Sequence, residues 1–263
     1  MIGLIFGDTE FPKQILKKIK KNNIKYFIID LSKNNSFKKN PHSISIGIGQ
    51  FSKIFELLKK NKCKKVLFAG KIKKPKFSSL KVDLKGLYYL PKIIKAAKIG
   101  DAAILKFIIN ILAKEKIKVI SSITYNPELT LSKGVHTKLK PNKDDILSIK
   151  KGIKSLDDLN PHNHVQGLVV KGNTILAEES AKGTKKMLLL IKKNKKSKGI
   201  LIKFPKKKQD LRLDLPTIGL DTLKDCKKAS IKGIVLKSKK NIVIDRSKSI
   251  SFANKNKIFI KVL

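Results

Sequence analysis

Short apolar runs recur along the first half of the chain. Each gives way to a glycine or polar turn and then to a stretch with apolar residues every three or four positions. Ile2–Phe6, closed by Gly7, is the first of these runs and reads as a buried parallel strand. A helical pattern follows from Pro12, with Ile15, Leu16 and Ile19 on one face, and Tyr26–Leu31 predicts the next strand. Ser43–Gly49 predicts a third strand ending in glycines, Phe51–Lys60 an amphipathic helix, and Lys65–Ala69 a fourth strand closed by Gly70. Helices are predicted over Leu87–Lys98 and Gly100–Glu115, and a strand over Lys118–Ser122. Strand, glycine and helix thus alternate as in a doubly wound α/β layer. Gly7-Asp8-Thr9-Glu10 sits at a strand-to-helix turn, where such folds take ligands, but it is not the Gly-x-Gly-x-x-Gly of dinucleotide binders. Asp101 stands just inside a predicted helix, where a carboxylate complements the positive end of the dipole.

A polar, turn-rich stretch opening with Tyr125-Asn-Pro-Glu ends this repeat, and a boundary is placed near Leu131–Gly134. Beyond it the pattern predicts a helix over Asn142–Ser155 and strands at Gly167–Val170 and Thr174–Glu178. Those strands flank Lys171-Gly172-Asn173 as a hairpin. A helix over Thr184–Lys193, a strand at Ile200–Lys203 and a helix over Thr222–Ala229 follow. Short strands at Gly233–Leu236, Asn241–Asp245 and Lys257–Val262 then come with no helix read between them. The fold class is therefore α/β. A Rossmann-like N-terminal domain is expected over residues 1–132 and an α+β C-terminal domain over residues 133–263.

The formal net charge of +42 invites an anionic partner, yet 41% hydrophobic residues are ordinary for a folded protein. The lysines are spread along the whole chain, and Lys, Ile and Asn all have A/T-rich codons, so codon bias alone could produce this surface. With no tryptophan and 6% aromatic residues, stacking platforms for nucleic acid are few, and no nucleic-acid partner is expected. Anionic lipid remains a partner for such a surface. Cys63 and Cys226 lie far apart without metal-ligand spacing, which argues for a reducing compartment. Met1–Gly7 is too short for a signal peptide, and Ile99–Ala113, broken by Asp101 and Lys106, is shorter than the ~20 residues of a membrane span. A cytoplasmic protein is expected, with peripheral attachment to the inner membrane as the form lipid contact would take. His162-Asn-His164 has no third ligand at useful spacing and reads as a solvated loop.

One stretch, Lys203–Thr222, differs from the rest. It gathers Asp210, Asp214 and Asp221 in a chain with 19 acidic and 61 basic residues, and it holds Arg212, one of two arginines beside Arg246. A guanidinium offers a planar bidentate fork that ammonium cannot copy, and phosphate is one group that fits it. Pro205, Pro216 and Gly219 mark a loop between apolar runs, as a functional loop on a scaffold would be. Composition alone leaves open an ordinary acidic surface loop.

Gln209-Asp210-Leu211-Arg212-Leu213-Asp214-Leu215-Pro216-Thr217-Ile218-Gly219 matches a known signature, Gln-Asp-x-Arg-x-Asp-Leu-Pro-Thr-Ile-Gly. With Gly3-Leu4-Ile5, Phe68-Ala69-Gly70-Lys71 with Pro75, Gly100-Asp101-Ala102, Gln166, Leu176-Ala177, Glu179 and Gly183-Thr184, the chain resembles the LpxI-type UDP-2,3-diacylglucosamine pyrophosphatases of lipid A biosynthesis over nearly its full length. The resemblance implies a two-domain, divalent-metal-dependent enzyme, usually using magnesium. Such enzymes hydrolyse the nucleotide-linked lipid UDP-2,3-diacylglucosamine to 2,3-diacylglucosamine 1-phosphate (lipid X) and UMP. On it, Asp214 and Asp210 are expected to carry the metal and water chemistry, with Glu179 a further metal candidate. Arg212, Lys203, Gln209, Thr217, Gly7 and Asp101 are the expected substrate-binding residues. If 210–214 is extended, Asp210, Arg212 and Asp214 share one face. Lys182 and Lys185 stand where the family has acids, Ala102 replaces the second aspartate of its Gly-Asp-Asp, and Asn254 replaces an aspartate. These departures keep a non-catalytic nucleotide-sugar or lipid-binding relative as the alternative. Monomer and homodimer are both open.

Overall fold

The computed structural model describes residues 1–72, 80–163, 165–180, 182–192, 198–207, 209–213 and 215–263, without the side chains of residues 101, 160–163 and 192. Pro75 and His164 lie outside the described residues. The chain forms two compact units, Met1–Asn126 and Pro127–Leu263.

The N-terminal unit runs β1 (Ile2–Phe6), α1 (Phe11–Lys21), β2 (Tyr26–Asp30), β3 (Ser43–Ser45), α2 (Phe51–Lys60), β4 (Lys65–Ala69), α3 (Leu84–Ile99), α4 (Asp101–Lys114) and β5 (Lys118–Ile120). Its strands form one parallel sheet in the order β3-β2-β1-β4-β5. Every residue of β1 is buried, as the unbroken apolar run Ile2–Phe6 requires of a strand covered on both faces. Pro12 opens α1 with φ already set for a helix, and Ile15 and Ile19, one turn apart, bury its inner face. The strand expected over Ser43–Gly49 ends at Ser45. Gly47 and Gln50 close a turn there, with the Gly47 N–H donating to Gln50 Oε1 at 2.9 Å and the Gln50 N–H to Gly47 O at 3.0 Å.

The switch point of this sheet lies between β1 and β4, the usual place for ligands in open α/β folds. Here Gly7 and Gly70 cross closely. The Asp8 N–H donates to Lys71 O and the Lys71 N–H to Asp8 O, each at 2.9 Å. A Cβ on Gly7 would come within 2.6 Å of Lys71 O, and Gly70, at φ +90°, would meet Asp8 O at 2.5 Å. Asp30 at the end of β2 is 1% exposed, and its carboxylate accepts from the Ser32 and Phe37 N–H groups and the Ser32 hydroxyl at 2.6–2.9 Å. It organises its own loop.

The C-terminal unit runs β6 (Gly134–Val135), α5 (Lys143–Asn163), β7 (Gly167–Lys171), β8 (Thr174–Glu178), α6 (Gly183–Lys192), β9 (Ile200–Lys203), β10 (Thr217–Ile218), α7 (Leu220–Lys228), β11 (Gly233–Leu236), β12 (Ile242–Val243), α8 (Arg246–Lys255) and β13 (Phe259–Val262). The main sheet has the order β6-β13-β11-β9-β7-β8. Its centre, β13-β11-β9, is parallel, whereas β6 at one edge and β7 and β8 at the other run antiparallel to their neighbours. The hairpin at Gly172 forms as expected, with that glycine at φ +55°. Helix α5 runs two turns past Ser155. Helix α8 fills a crossover where the sequence predicted only strand and loop. Arg246–Lys255 buries just Ser249 and Ala253, a pair of small residues one turn apart that leaves no apolar stripe to read.

Strand alternation divides the core into two layers. Leu168, Val170, Ile200, Ile202, Val235 and Phe259 face Ile149 and Leu156 of α5. Val169, Leu201, Ile234 and Ile260 face Met187 and Leu188 of α6, Leu223 of α7 and Ala253 of α8. Gly233 lies in register with Phe259, and a Cβ there would fall 2.1–2.3 Å from the Phe259 ring, which is fully buried. Gly233→Ala is therefore expected to destabilise the C-terminal unit by roughly 1–3 kcal/mol through overpacking, read as a lower urea midpoint at unchanged slope.

Candidate active site

Lys203 is the last residue of β9. Alternation places it in the row of Leu201, on the side of the sheet that carries α6 and α7. Its side chain is almost fully buried. The ammonium donates to Glu179 Oε2 at 3.1 Å, to Oε1 at 3.3 Å and to the Thr184 hydroxyl at 2.5 Å. Glu179 follows β8, and Thr184 lies in the first turn of α6. The Glu179 N–H donates to Gly167 O at 2.8 Å, and a Cβ on Gly167 would sit 2.4 Å from Glu179 Oε2. Glycine at 167 leaves the room in which the carboxylate lies. An ammonium has three donors, and this one spends them on two protein side chains.

The loop that follows β9 is fastened at both ends by one amide. Asn241, 2% exposed, donates from Nδ2 to Lys203 O at 3.0 Å and to Pro216 O at 3.4 Å, while its Oδ1 accepts from the Lys237 N–H at 2.8 Å. Just beyond Pro216, β10 pairs with β12, Thr217 opposite Ile242. The Thr217 hydroxyl donates to Leu215 O at 2.9 Å.

Within the loop, the Lys206 N–H donates to Gln209 Oε1 at 2.9 Å and the Gln209 N–H to Lys206 O at 3.0 Å. Asp210–Leu213 is a turn, not the extended segment considered from the sequence. The Leu213 N–H donates to Asp210 O at 3.1 Å and the Arg212 N–H to Asp210 Oδ1 at 3.0 Å. An aspartate side chain that accepts from the backbone two residues on stabilises a turn in preference to a strand. The Arg212 guanidinium folds onto the same carboxylate, Nε to Oδ1 at 2.9 Å and Nη2 to Oδ2 at 2.6 Å. This bidentate pair holds the Asp210 carboxyl below its ordinary range, against the burial that pushes it up, and holds the guanidinium charged. A depressed carboxyl keeps its contribution above the ordinary carboxylate range and loses it only as pH falls through the lowered value, so the pair is intact at neutral pH.

A groove of about 270 Å³ borders this loop, lined by Phe204, Lys206, Gln209, Leu211, Lys237 and Lys240. Its lysines make it a place for an anion. A larger groove of about 620 Å³ lies at the opposite edge of the sheet, beside the ion pair Lys232–Asp145, and none of the signature residues borders it. The smaller groove is the one that Gln209 and Leu211 of the signature border.

The structure thus brings Lys203 to Glu179 and Arg212 to Asp210. Asp214 lies outside the described residues. Gly7 and Asp101 belong to the N-terminal unit, Gly7 at the crossing with Gly70 and Asp101 as the first residue of α4. As a magnesium centre the described carboxylates do not fit. Glu179 is committed to Lys203 and Asp210 to Arg212, and among the described residues no three His, Cys, Asp or Glu side chains cluster. Two residues enter the site that no role was read for in the sequence, Thr184 and Asn241. A buried amide that joins two carbonyls far apart in sequence leaves no mark in local pattern.

Residues 1–129 match the LpxI N-terminal domain, and residues 132–261 match the LpxI C-terminal domain. UDP-2,3-diacylglucosamine pyrophosphatase LpxI of Caulobacter vibrioides is 30% identical over 269 residues, covering 98% of this chain and 96% of that protein. The chain belongs to the LpxI family. Two departures of this LpxI chain now have a structural setting. Asn254 Oδ1 accepts from the Lys138 N–H at 2.7 Å, a service an aspartate would perform equally. Lys182 sits in the turn before α6, its N–H donating to Ser180 Oγ at 3.2 Å.

Breaking a buried ion pair on one side strands the other charge. Lys203→Met is expected to cost about 3 kcal/mol or more in urea unfolding, and Lys203→Met/Glu179→Gln to recover most of that loss. Equal losses in the single and double variants would show that packing, not the charge pair, sets the effect.

Proposed function

We propose that this LpxI chain hydrolyses the pyrophosphate of UDP-2,3-diacylglucosamine to 2,3-diacylglucosamine 1-phosphate and UMP, the substrate for which its Caulobacter relative is named. The observation that carries the reading is the signature loop itself. It begins at a buried ammonium, is closed by Asn241, holds Arg212 on Asp210, and lines a lysine-rich groove with Gln209 and Leu211. In the reaction, water adds to one phosphorus while the bridging P–O bond breaks and the departing phosphate keeps the electron pair. Arg212 spends Nε and Nη2 on Asp210 and in this reading uses Nη1 to bind phosphate oxygens as their charge grows. Asp210 orients that guanidinium. Lys203 acts from behind, through Glu179 and Thr184, by setting the start of α6, the end of a helix whose dipole favours an anion. Asp214 is kept as the residue that orients water. A diacylated substrate resides in a membrane, and among the described residues no helix is long and apolar enough to cross one.

The test is release of UMP from UDP-2,3-diacylglucosamine. The wild type is expected to turn over, and Asp214→Ala to lose several orders of magnitude. Arg212→Lys, which keeps charge but not the fork, should lower kcat/KM by roughly 10²-fold. Chelation by EDTA is an arm of the same assay, and loss of turnover restored by magnesium would show that the reaction needs the implied cation. Tight binding without UMP release at any magnesium concentration would instead establish the non-catalytic relative, to which Lys182 and Lys185 point.

A further inference from the structure

Helix α3 carries large apolar side chains on its outer face. Leu84 is 85% exposed, Leu87 61% and Tyr88 65%, and they fall with exposed Pro91 on one side of the helix. The same side continues through exposed Lys92, Lys95 and Lys98 to Ile99, 78% exposed. The inner side is tightly held. A Cβ on Gly86 would lie 2.0 Å from Gly49 O, and Tyr89 stacks edge-on against Phe51 and Phe107 at 5.8 and 6.1 Å. Asp83 caps the helix by accepting from the Gly86 N–H at 2.8 Å. The apolar face is therefore built outward by a rigid helix, not left by a loose one.

From this face we propose that α3 is a membrane-docking element, lying in the plane of an anionic bilayer with Leu84, Leu87 and Tyr88 in the interface. Charge complementarity selects the occupant. Lysines beyond the apolar residues reach headgroup phosphates while their stems run along the acyl boundary, and tyrosine favours that depth. A second copy packed on this face by a twofold axis would set lysines against lysines if the helices ran parallel, and against Leu84 and Leu87 if they ran antiparallel about the helix centre. A convex helix face also cannot enclose a free acyl chain. This inference extends the lipid-linked reading above by naming the surface, and its test needs no turnover.

The chain has no tryptophan, so one introduced indole reports its own surroundings. Leu87→Trp on α3 is compared with Leu190→Trp, an equally exposed position on α6 (57%), on vesicles of phosphatidylglycerol and phosphatidylcholine. Emission should shift to the blue and be quenched by brominated acyl chains for Leu87→Trp alone. At about 1 M salt, where screening acts within about 3 Å, Leu84→Asn/Leu87→Asn should bind these vesicles roughly tenfold or more weakly than wild type, with an unchanged melting midpoint. Equal responses at both tryptophans, no response at either, or undiminished binding by the double variant would overturn the proposal. So would a concentration-dependent blue shift of Leu87→Trp without vesicles, which would assign the face to a second copy. Hydrolysis of a short-acyl, water-soluble substrate by the double variant separates the two readings. Loss of vesicle binding with retained hydrolysis supports both, and vesicle binding through α3 without any hydrolysis sinks only the activity.

Discussion

A lysine ammonium at the end of a buried strand must be neutralised and hydrogen-bonded where it stands, because leaving it alone in a low-dielectric interior costs several kcal/mol. Lys203 imposes that requirement on three elements of the C-terminal unit. The end of β8 supplies Glu179, the first turn of α6 supplies Thr184, and β7 contributes Gly167, which is small enough to admit the carboxylate. A pair so deeply buried adds little net stability over apolar residues of the same size. What it does impose is geometry. The position of the α6 start and the departure of the chain from β9 are set together by one group.

The loop that leaves β9 is then organised from within. Asn241 joins its two ends, Gln209 closes the Lys206 turn, and Asp210 caps its own turn and receives Arg212. Each of these contacts removes conformations the free loop would otherwise sample, so less entropy is lost when an anion binds. Arg212 remains half-exposed with part of its fork unspent, and Lys206, Lys237 and Lys240 give the groove at Gln209 and Leu211 a positive field. The loop lies on the carboxyl edge of the parallel strands, the edge that α/β sheets use for ligands.

The N-terminal unit has the strand order of nucleotide-binding folds but spends its characteristic positions on itself. Asp30, at the end of β2 where dinucleotide proteins hold a ribose-binding acid, is buried and saturated by its own loop. Gly7 and Gly70 bring two loops into backbone contact at the switch point. Shared topology here does not carry shared chemistry, as expected when function resides in sites placed on a fold. The feature this unit does expose is the outer face of α3.

The parallel sheet of the N-terminal unit was legible because its strands are uninterrupted apolar runs and its helices carry strong stripes, signals that survive without tertiary context. The LpxI resemblance was legible too, because the Gln209–Gly219 signature is local. Helix α8 was not. It buries only Ser249 and Ala253, so it is held by its place in a crossover and not by its own periodicity. The turn at Asp210–Leu213 depended on whether one carboxylate would bind its own backbone, a competition that alternating charges in a sequence do not decide. Most of all, the sequence offered Lys203 for substrate and Glu179 for metal, gave Thr184 and Asn241 no role, and showed no link among the four. Whether a lysine clamps a ligand or neutralises a neighbouring carboxylate depends on which groups share its buried volume, and only the packing of β7, β8, β9 and α6 settled that.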